Sequence, residues 1–100
     1  MRKVSGKQVE AARVLLGITQ DELGDACDLN GKTISRFEGS TGQPHRANLA
    51  RIVAELEKRG IEFTNGTGIG VRLDFEKAAQ YARGSRELDA ASKHDADPRT

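Results

Sequence analysis

The stretch Thr19-Gln-Asp-Glu-Leu-Gly-Asp-Ala-Cys-Asp-Leu-Asn-Gly-Lys-Thr-Ile-Ser-Arg-Phe-Glu-Gly39 predicts two short helices joined by a tight turn. Thr19 with Glu22 three residues later forms the pattern of a capping box, which marks a helix start. Asn30 is a favoured N-cap and predicts the start of the second helix. Asp28, between the two, tolerates a left-handed backbone better than most residues do, so the chain is expected to turn sharply there.

The second predicted helix, about Gly31 to Glu38, has one narrow apolar stripe. Ile34 and Phe37 are spaced i and i+3 and should be buried, which leaves a polar and basic outer face. The residues of that face are Lys32, Ser35 and Arg36. A short helix with such a face can enter the major groove of DNA when a partner helix braces it. The apolar residues expected to fix the angle between the two helices are Leu23, Ala26, Ile34 and Phe37.

Helical periodicity also appears on both sides of this pair. A first helix is expected behind the N-cap Ser5 and before the stop Gly17, with an apolar face at helical spacing. The residues of that face are Val9, Ala12, Leu15 and Leu16. After Pro44, Leu49, Ile52, Val53 and Leu56 mark a fourth helix, which Gly60 ends.

The part of the chain beyond Gly60 predicts a hairpin and a fifth helix. Residues 61–64 and 69–73 alternate with period two around Asn65-Gly-Thr-Gly68, which is a hairpin pattern. A lone hairpin is marginal in water, so this one should pack on the helices or pair with another chain. Asp74 is a suitable cap for the fifth helix, whose pattern weakens at Gly84, and the tail from about Ser92 is expected to be mobile.

These elements define a mainly α fold of four or five helices with a C-terminal β-hairpin. The expected organisation is a helical unit over residues 1–60, a hairpin and helix over residues 61–91, and a flexible tail over residues 92–100. One hundred residues suit a single small core.

Composition narrows the class of protein. The net charge of +1, from 16 basic and 15 acidic residues, gives no overall attraction to nucleic acid, so any DNA affinity must come from local placement of charge. The single Cys27 is expected in the core and no metal or other cofactor is expected. No signal peptide, membrane span or nucleophile motif is recognisable, so a cytoplasmic protein that is not an enzyme is expected.

The segments Thr19-Gln-x-Glu-Leu23 and Thr33-Ile-Ser-Arg-Phe-Glu-Gly39 resemble the helix-turn-helix of the Cro/phage-repressor family, also called the xenobiotic response element family. The resemblance covers about residues 8–59 and implies a lambda-repressor-like domain that regulates transcription by binding DNA. It also implies the residues that contact bases, namely Asn30, Lys32, Thr33 and Arg36. The residues implied to contact phosphates are Thr19, Gln20, Ser35 and Arg46.

The sequence departs from the family pattern at three positions of this stretch. Gly31 stands where relatives carry a long polar side chain, so one base contact is missing. Asp28 replaces the usual turn glycine. Gly24 replaces a small alanine, and this glycine is expected to keep the close approach of the two helices at a cost in helix stability.

A single short helix makes too few contacts for firm specificity, so a homodimer on a near-palindromic site is expected, most simply acting as a repressor. The apolar positions expected to be exposed and to form the dimer, by strand pairing or by packing, are Ile61, Phe63, Ile69, Val71 and Phe75. Two alternatives remain open. The chain could be an antitoxin whose tail from Asp74 folds on a toxin, or a protein-interaction module that kept the fold without binding DNA.

Overall fold

The computed structural model describes residues 4–39 and 46–93, with side chains described up to residue 84. In chain order the elements are α1 (Gly6–Leu16), α2 (Gln20–Cys27), α3 (Gly31–Glu38), α4 (Arg46–Lys58), β1 (Ile61–Thr64), β2 (Gly70–Leu73) and α5 (Phe75–Lys93). The predicted mainly helical fold with a hairpin is confirmed. Of the predicted flexible tail, residues 92 and 93 belong to α5, and residues 94–100 lie outside the described part.

The helix boundaries follow from local hydrogen bonds that the sequence predicts. Thr19 Oγ1 accepts a hydrogen bond from Glu22 N at 3.0 Å, and Glu22 Oε1 accepts one from Thr19 N at 2.8 Å. Ser5 caps α1 in the same reciprocal way with Gln8, and Asn30 Oδ1 accepts from the backbone of α3 at 2.8 Å. Asp28 ends α2 with φ 60° and ψ 42°, as the predicted left-handed turn requires.

One mainly aliphatic core is formed by the four helices α1, α2, α3 and α4 together with Val4 and the first residue of the hairpin. Its buried members are Val4, Val9, Ala12, Leu23, Cys27, Ile34, Phe37, Ile52, Val53, Leu56 and Ile61. No helix in the described part is both long and apolar enough to cross a lipid bilayer.

Two expected core positions are exposed instead. Leu15 is 49% exposed, because the hairpin packs beside Gln8 on the same side of α1 and does not reach two turns further. Ala26 is also exposed, because the buried stripe of α2 runs through Leu23, Gly24 and Cys27. Ala26 therefore does not set the angle between α2 and α3, and the expectation for both residues was wrong.

The hairpin is held against α1 by a buried amide. Gln8, 2% exposed, donates from Nε2 to the carbonyl oxygens of Thr64 and Gly70, both at 3.1 Å. These two residues pair with each other at the loop end of the antiparallel ladder. The prediction that the hairpin packs on the helices is confirmed. Ile69, expected in the second strand, lies in the loop.

Helix α5 is anchored to the end of α4. Asp74 N donates to Gly60 O at 2.8 Å, and Asp74 Oδ1 accepts from Lys77 N at 2.9 Å, which confirms the predicted cap. Gly60 has φ 110°, a conformation that favours glycine. The ring of Tyr81 then lies 5.0 Å from the guanidinium carbon of Arg59, a distance at which a cation and an aromatic face attract each other.

Candidate nucleic-acid interface

Helix α3 presents a polar surface over a buried apolar stripe. Ile34 is fully buried and Phe37 is 3% exposed, which fixes the rotation of the helix about its axis. Lys32, Ser35 and Arg36 are consequently exposed, as predicted. The helix thus has polar and basic side chains along its exposed face, while its other face is part of the core.

The turn between α2 and α3 is tight because Gly24 carries no side chain. Leu29 N donates to Gly24 O at 2.7 Å, and a Cβ placed on Gly24 would lie only 2.8 Å from Leu29 O and 3.1 Å from Gly31 N. Even an alanine would push the two helices apart. The predicted role of Gly24 in their close approach is therefore confirmed.

The first turns of α2 and α3 lie side by side. A Cβ on Gly31 would overlap the Asp21 carboxylate, so the missing side chain at this position leaves room for Asp21. A carboxylate beside the N-terminus of α3 is stabilised by the free N–H groups and by the helix dipole. The structure gives Gly31 this packing role, which the sequence pattern does not reveal.

The other predicted contact residues differ in their exposure and in the hydrogen bonds that they already make. Thr19 and Asn30 are exposed, but each side chain already accepts a hydrogen bond as a helix cap. Thr33 is half-buried in the first turn of α3, and Arg46 is exposed at the first residue of α4. The packing of α2 on α3 brings the predicted phosphate and base residues of these two helices together. Their contacts with DNA stay predictions.

A buried polar network that the sequence did not reveal lies beneath this surface. Glu38, at the end of α3, is 3% exposed and is paired with Arg13 of α1 through Nε at 2.8 Å and Nη2 at 3.1 Å. Gln20, at the start of α2, donates from Nε2 to Glu38 Oε1 at 2.9 Å. The hydrogen bonds that Arg13 donates to the Glu38 carboxylate raise the pKa of Arg13. Arg13 Nη1 also donates to Ile18 O in the loop between α1 and α2. Through Arg13, Gln20 and Glu38 the network connects α1, α2 and α3.

The residues expected at a dimer surface differ in how far they are exposed. Ile61 is 2% exposed and belongs to the core, so the expectation that it is available to a partner was wrong. Phe63 and Val71 are half-buried against the same core. Ile69 and Phe75 are 60% and 81% exposed. The period-two alternation predicts one apolar face of the hairpin, and the structure has it. That face packs against α1 and α4 and is not open to a partner.

Helix α5 has an exposed apolar face of its own. Ala79 and Ala82 follow Phe75 at i+4 and i+7, the spacing of one helix face, and both are exposed. We call Phe75, Ala79 and Ala82 the outer patch; Ile69 lies in the hairpin loop, at the opposite end of β2 from Phe75.

Cys27 is buried, as predicted, and burial raises the pKa of its thiol. A protonated buried thiol behaves as a small apolar side chain. Where side chains are described, over residues 4–39 and 46–84, no three His, Cys, Asp or Glu side chains are grouped so as to hold a metal ion.

The architecture is similar to that of the clp gene regulator ClgR from Corynebacterium glutamicum, with a TM-score of 0.50 and 20% sequence identity. The two chains share a fold. The similarity covers 89% of this chain and 79% of that one. No protein-family model and no curated protein matches the sequence. At this identity the similarity establishes the fold, and function must be argued from the residues.

Proposed function

We propose that this protein is a sequence-specific DNA-binding regulator of transcription, of the Cro/phage-repressor type, in which α3 enters the major groove. The observation that carries the proposal is the exposed polar face of α3, held by buried Ile34 and Phe37 and braced across the tight turn by α2. A groove-reading helix needs both features. The shared fold with a gene regulator supports the same conclusion.

The proposed base contacts are made by Asn30, Lys32, Thr33 and Arg36, and the proposed phosphate contacts by Thr19, Gln20, Ser35 and Arg46. Lysine and arginine suit the O6 and N7 acceptors of guanine. Because the net charge is only +1, these local cations must supply the electrostatic part of the affinity.

The proposed mode of action is repression in the cytoplasm. A homodimer binds a near-palindromic operator and thereby blocks the promoter. Residues 1–60 would bind DNA, and residues 61–91 would join two copies through the outer patch. Phe75 is the largest exposed apolar side chain of that patch, and a contiguous exposed apolar surface marks an interaction site.

Replacing Lys32 with alanine should relax the preference for one base pair in each half-site, by roughly tenfold, because a lysine contact to guanine is lost. Gln20→Ala should instead weaken binding to all sequences alike, since a phosphate carries no sequence information. Selection of bound fragments from random DNA, followed by titration at fixed salt, measures both effects. Lys7→Ala is the matched control, because Lys7 is an exposed lysine of α1 that pairs with Glu10. Unchanged base preferences in Lys32→Ala would refute the groove assignment.

Replacing Phe75 with aspartate should raise the dissociation constant of the dimer at least tenfold, because an aromatic side chain that the proposed dimer would bury is replaced by a charge. Sedimentation equilibrium of the full chain measures this. Val14→Asp, at an apolar residue of α1 that is 64% exposed, is the control and should leave the dimer intact. A chain ending at Gly60 would be a poorer test, because it removes Ile61 from the core.

The same preparations distinguish the alternatives. A small protein that co-purifies with the chain and contacts α5 would favour the antitoxin hypothesis. Failure to bind any DNA at low salt, where phosphate contacts are strongest, would favour a protein-interaction module. A protein that is monomeric at all concentrations would contradict the dimer but leave the groove assignment in place.

A further inference from the structure

The Glu38 carboxylate is fixed in place by its surroundings. It is 3% exposed, and both of its oxygens accept hydrogen bonds from Arg13, at 2.8 and 3.1 Å. A buried charge requires such a partner, and the paired guanidinium neutralises it. The carboxylate therefore lies at the end of α3 as a rigid hydrogen-bond acceptor whose charge is compensated.

This acceptor decides which way the Gln20 amide points. An ionised carboxylate can only accept hydrogen bonds, whereas an amide has a donor end and an acceptor end. The amide nitrogen of Gln20 must therefore face Glu38, and it does so at 2.9 Å. Without Glu38 the amide could rotate and present its oxygen, which repels an anion, in place of its nitrogen.

Gln20 lies at the end of α2 that attracts anions. Gln20 is the first residue of α2, where backbone N–H groups without helical partners favour an anion. Its side chain is half-buried, and one N–H of the amide is occupied by Glu38. Among the described residues the second N–H has no hydrogen-bond partner, so it is left as a donor for a phosphate oxygen that approaches the start of the helix.

We infer that Glu38 is a positioning residue for DNA binding, which holds the Gln20 amide so that a donor is presented to a backbone phosphate. The inference rests on the proposed function, because it assigns how one phosphate contact of that function is prepared. Glu38 itself touches no DNA. Arg13 has a supporting part, since it prevents the carboxylate from repelling the same phosphate.

Phosphate-by-phosphate substitution of the operator tests the inference. Each duplex carries one uncharged methylphosphonate, and the dissociation constant is measured for the wild type, Gln20→Ala and Glu38→Gln. The phosphate contacted by Gln20 is the one whose neutralisation weakens the wild type but not Gln20→Ala. Glu38→Gln should also become insensitive at that phosphate alone and should bind the unmodified operator roughly tenfold more weakly.

Glu55→Gln is the matched control. Glu55 is a similarly buried carboxylate, 8% exposed and paired with Arg59 at 2.7 Å, but it lies on α4. It should keep the wild-type pattern of phosphate sensitivity. Sensitivity retained by Glu38→Gln at the Gln20 phosphate, or reduced equally at every phosphate, would overturn the inference and leave Glu38 with a structural role only.

The wild-type protein provides a second measurement should Glu38→Gln not fold. In the ¹⁵N spectrum, the Gln20 side-chain amide should show one slowly exchanging proton before DNA is added, and the other should shift when operator is added. Two rapidly exchanging protons, or no shift with DNA, would overturn the inference. Loss of operator binding by the wild type itself would remove the proposed function and this inference together.

Discussion

Arg13→Met is expected to lower the free energy of unfolding by about 3 kcal/mol, because it leaves the Glu38 carboxylate buried without its cation. Glu38 is 3% exposed, whereas the Arg13 side chain is 16% exposed, so water can relieve part of the loss and the low end of the range for buried pairs applies. Urea unfolding followed by circular dichroism measures the change. A domain of this size has little stability in reserve, so the variant should be partly unfolded near body temperature.

Two further variants separate the buried charge from the loss of an arginine as such. Arg72→Met removes an arginine whose side chain is 61% exposed and which pairs with Glu62 on the hairpin, so unfolding should hardly change. Arg13→Met combined with Glu38→Met should recover much of the stability, because two apolar groups then replace the pair. Equal losses in Arg13→Met and Arg72→Met would show that burial of Glu38 is not the cause.

Gly6→Ala is expected to cost about 2–3 kcal/mol, although alanine is the better helix former. Gly6 lies in the first turn of α1, where an added Cβ would overlap the carbonyl oxygen of Phe37 and lie 3.1 Å from Glu38 Cα. These are backbone atoms, so no side chain can rotate to make room. The substitution must displace α1 from the end of α3, the helix proposed to enter the groove.

Gly84→Ala is the matched control for Gly6→Ala. Gly84 is also within a helix, but nothing lies within 4 Å of the position its Cβ would take. It should therefore gain up to about 1 kcal/mol from helix propensity alone. Thermal unfolding of the two variants should shift in opposite directions, and a gain in both would mean that α1 and α3 are not in the close contact described.

The elements were predictable because their signals are local. The capping box at Thr19 and the left-handed Asp28 involve residues within a few positions of one another, and the alternation around Asn65 lies within one continuous stretch, residues 61–73. Such patterns act on the backbone directly, whatever the rest of the chain does. The fifth helix is also predictable at its start, through Asp74, although its apolar pattern weakens at Gly84 and the helix ends at Lys93.

The expectations that failed concern which side of an element meets another element. Ile61 was expected on an outer surface and lies in the core, and Leu15 was expected in the core and lies in solvent. Periodicity defines an apolar face but does not say what covers it, or how far along the helix the cover extends. Phe75 shows the converse, an apolar residue that no element of the described part covers.

The sequence by itself determined the order of the helices, their caps, the sharp turn at Asp28 and the polar outer face of α3. Only the tertiary structure decided that Gln8 holds the hairpin, that Gly31 makes room for Asp21, and that Glu38 joins Arg13 and Gln20. The partners in the first and last of these are far apart in the chain, 25 residues in the pair of Arg13 and Glu38. They meet only when packing fixes the distances between helices, and no local pattern encodes those distances.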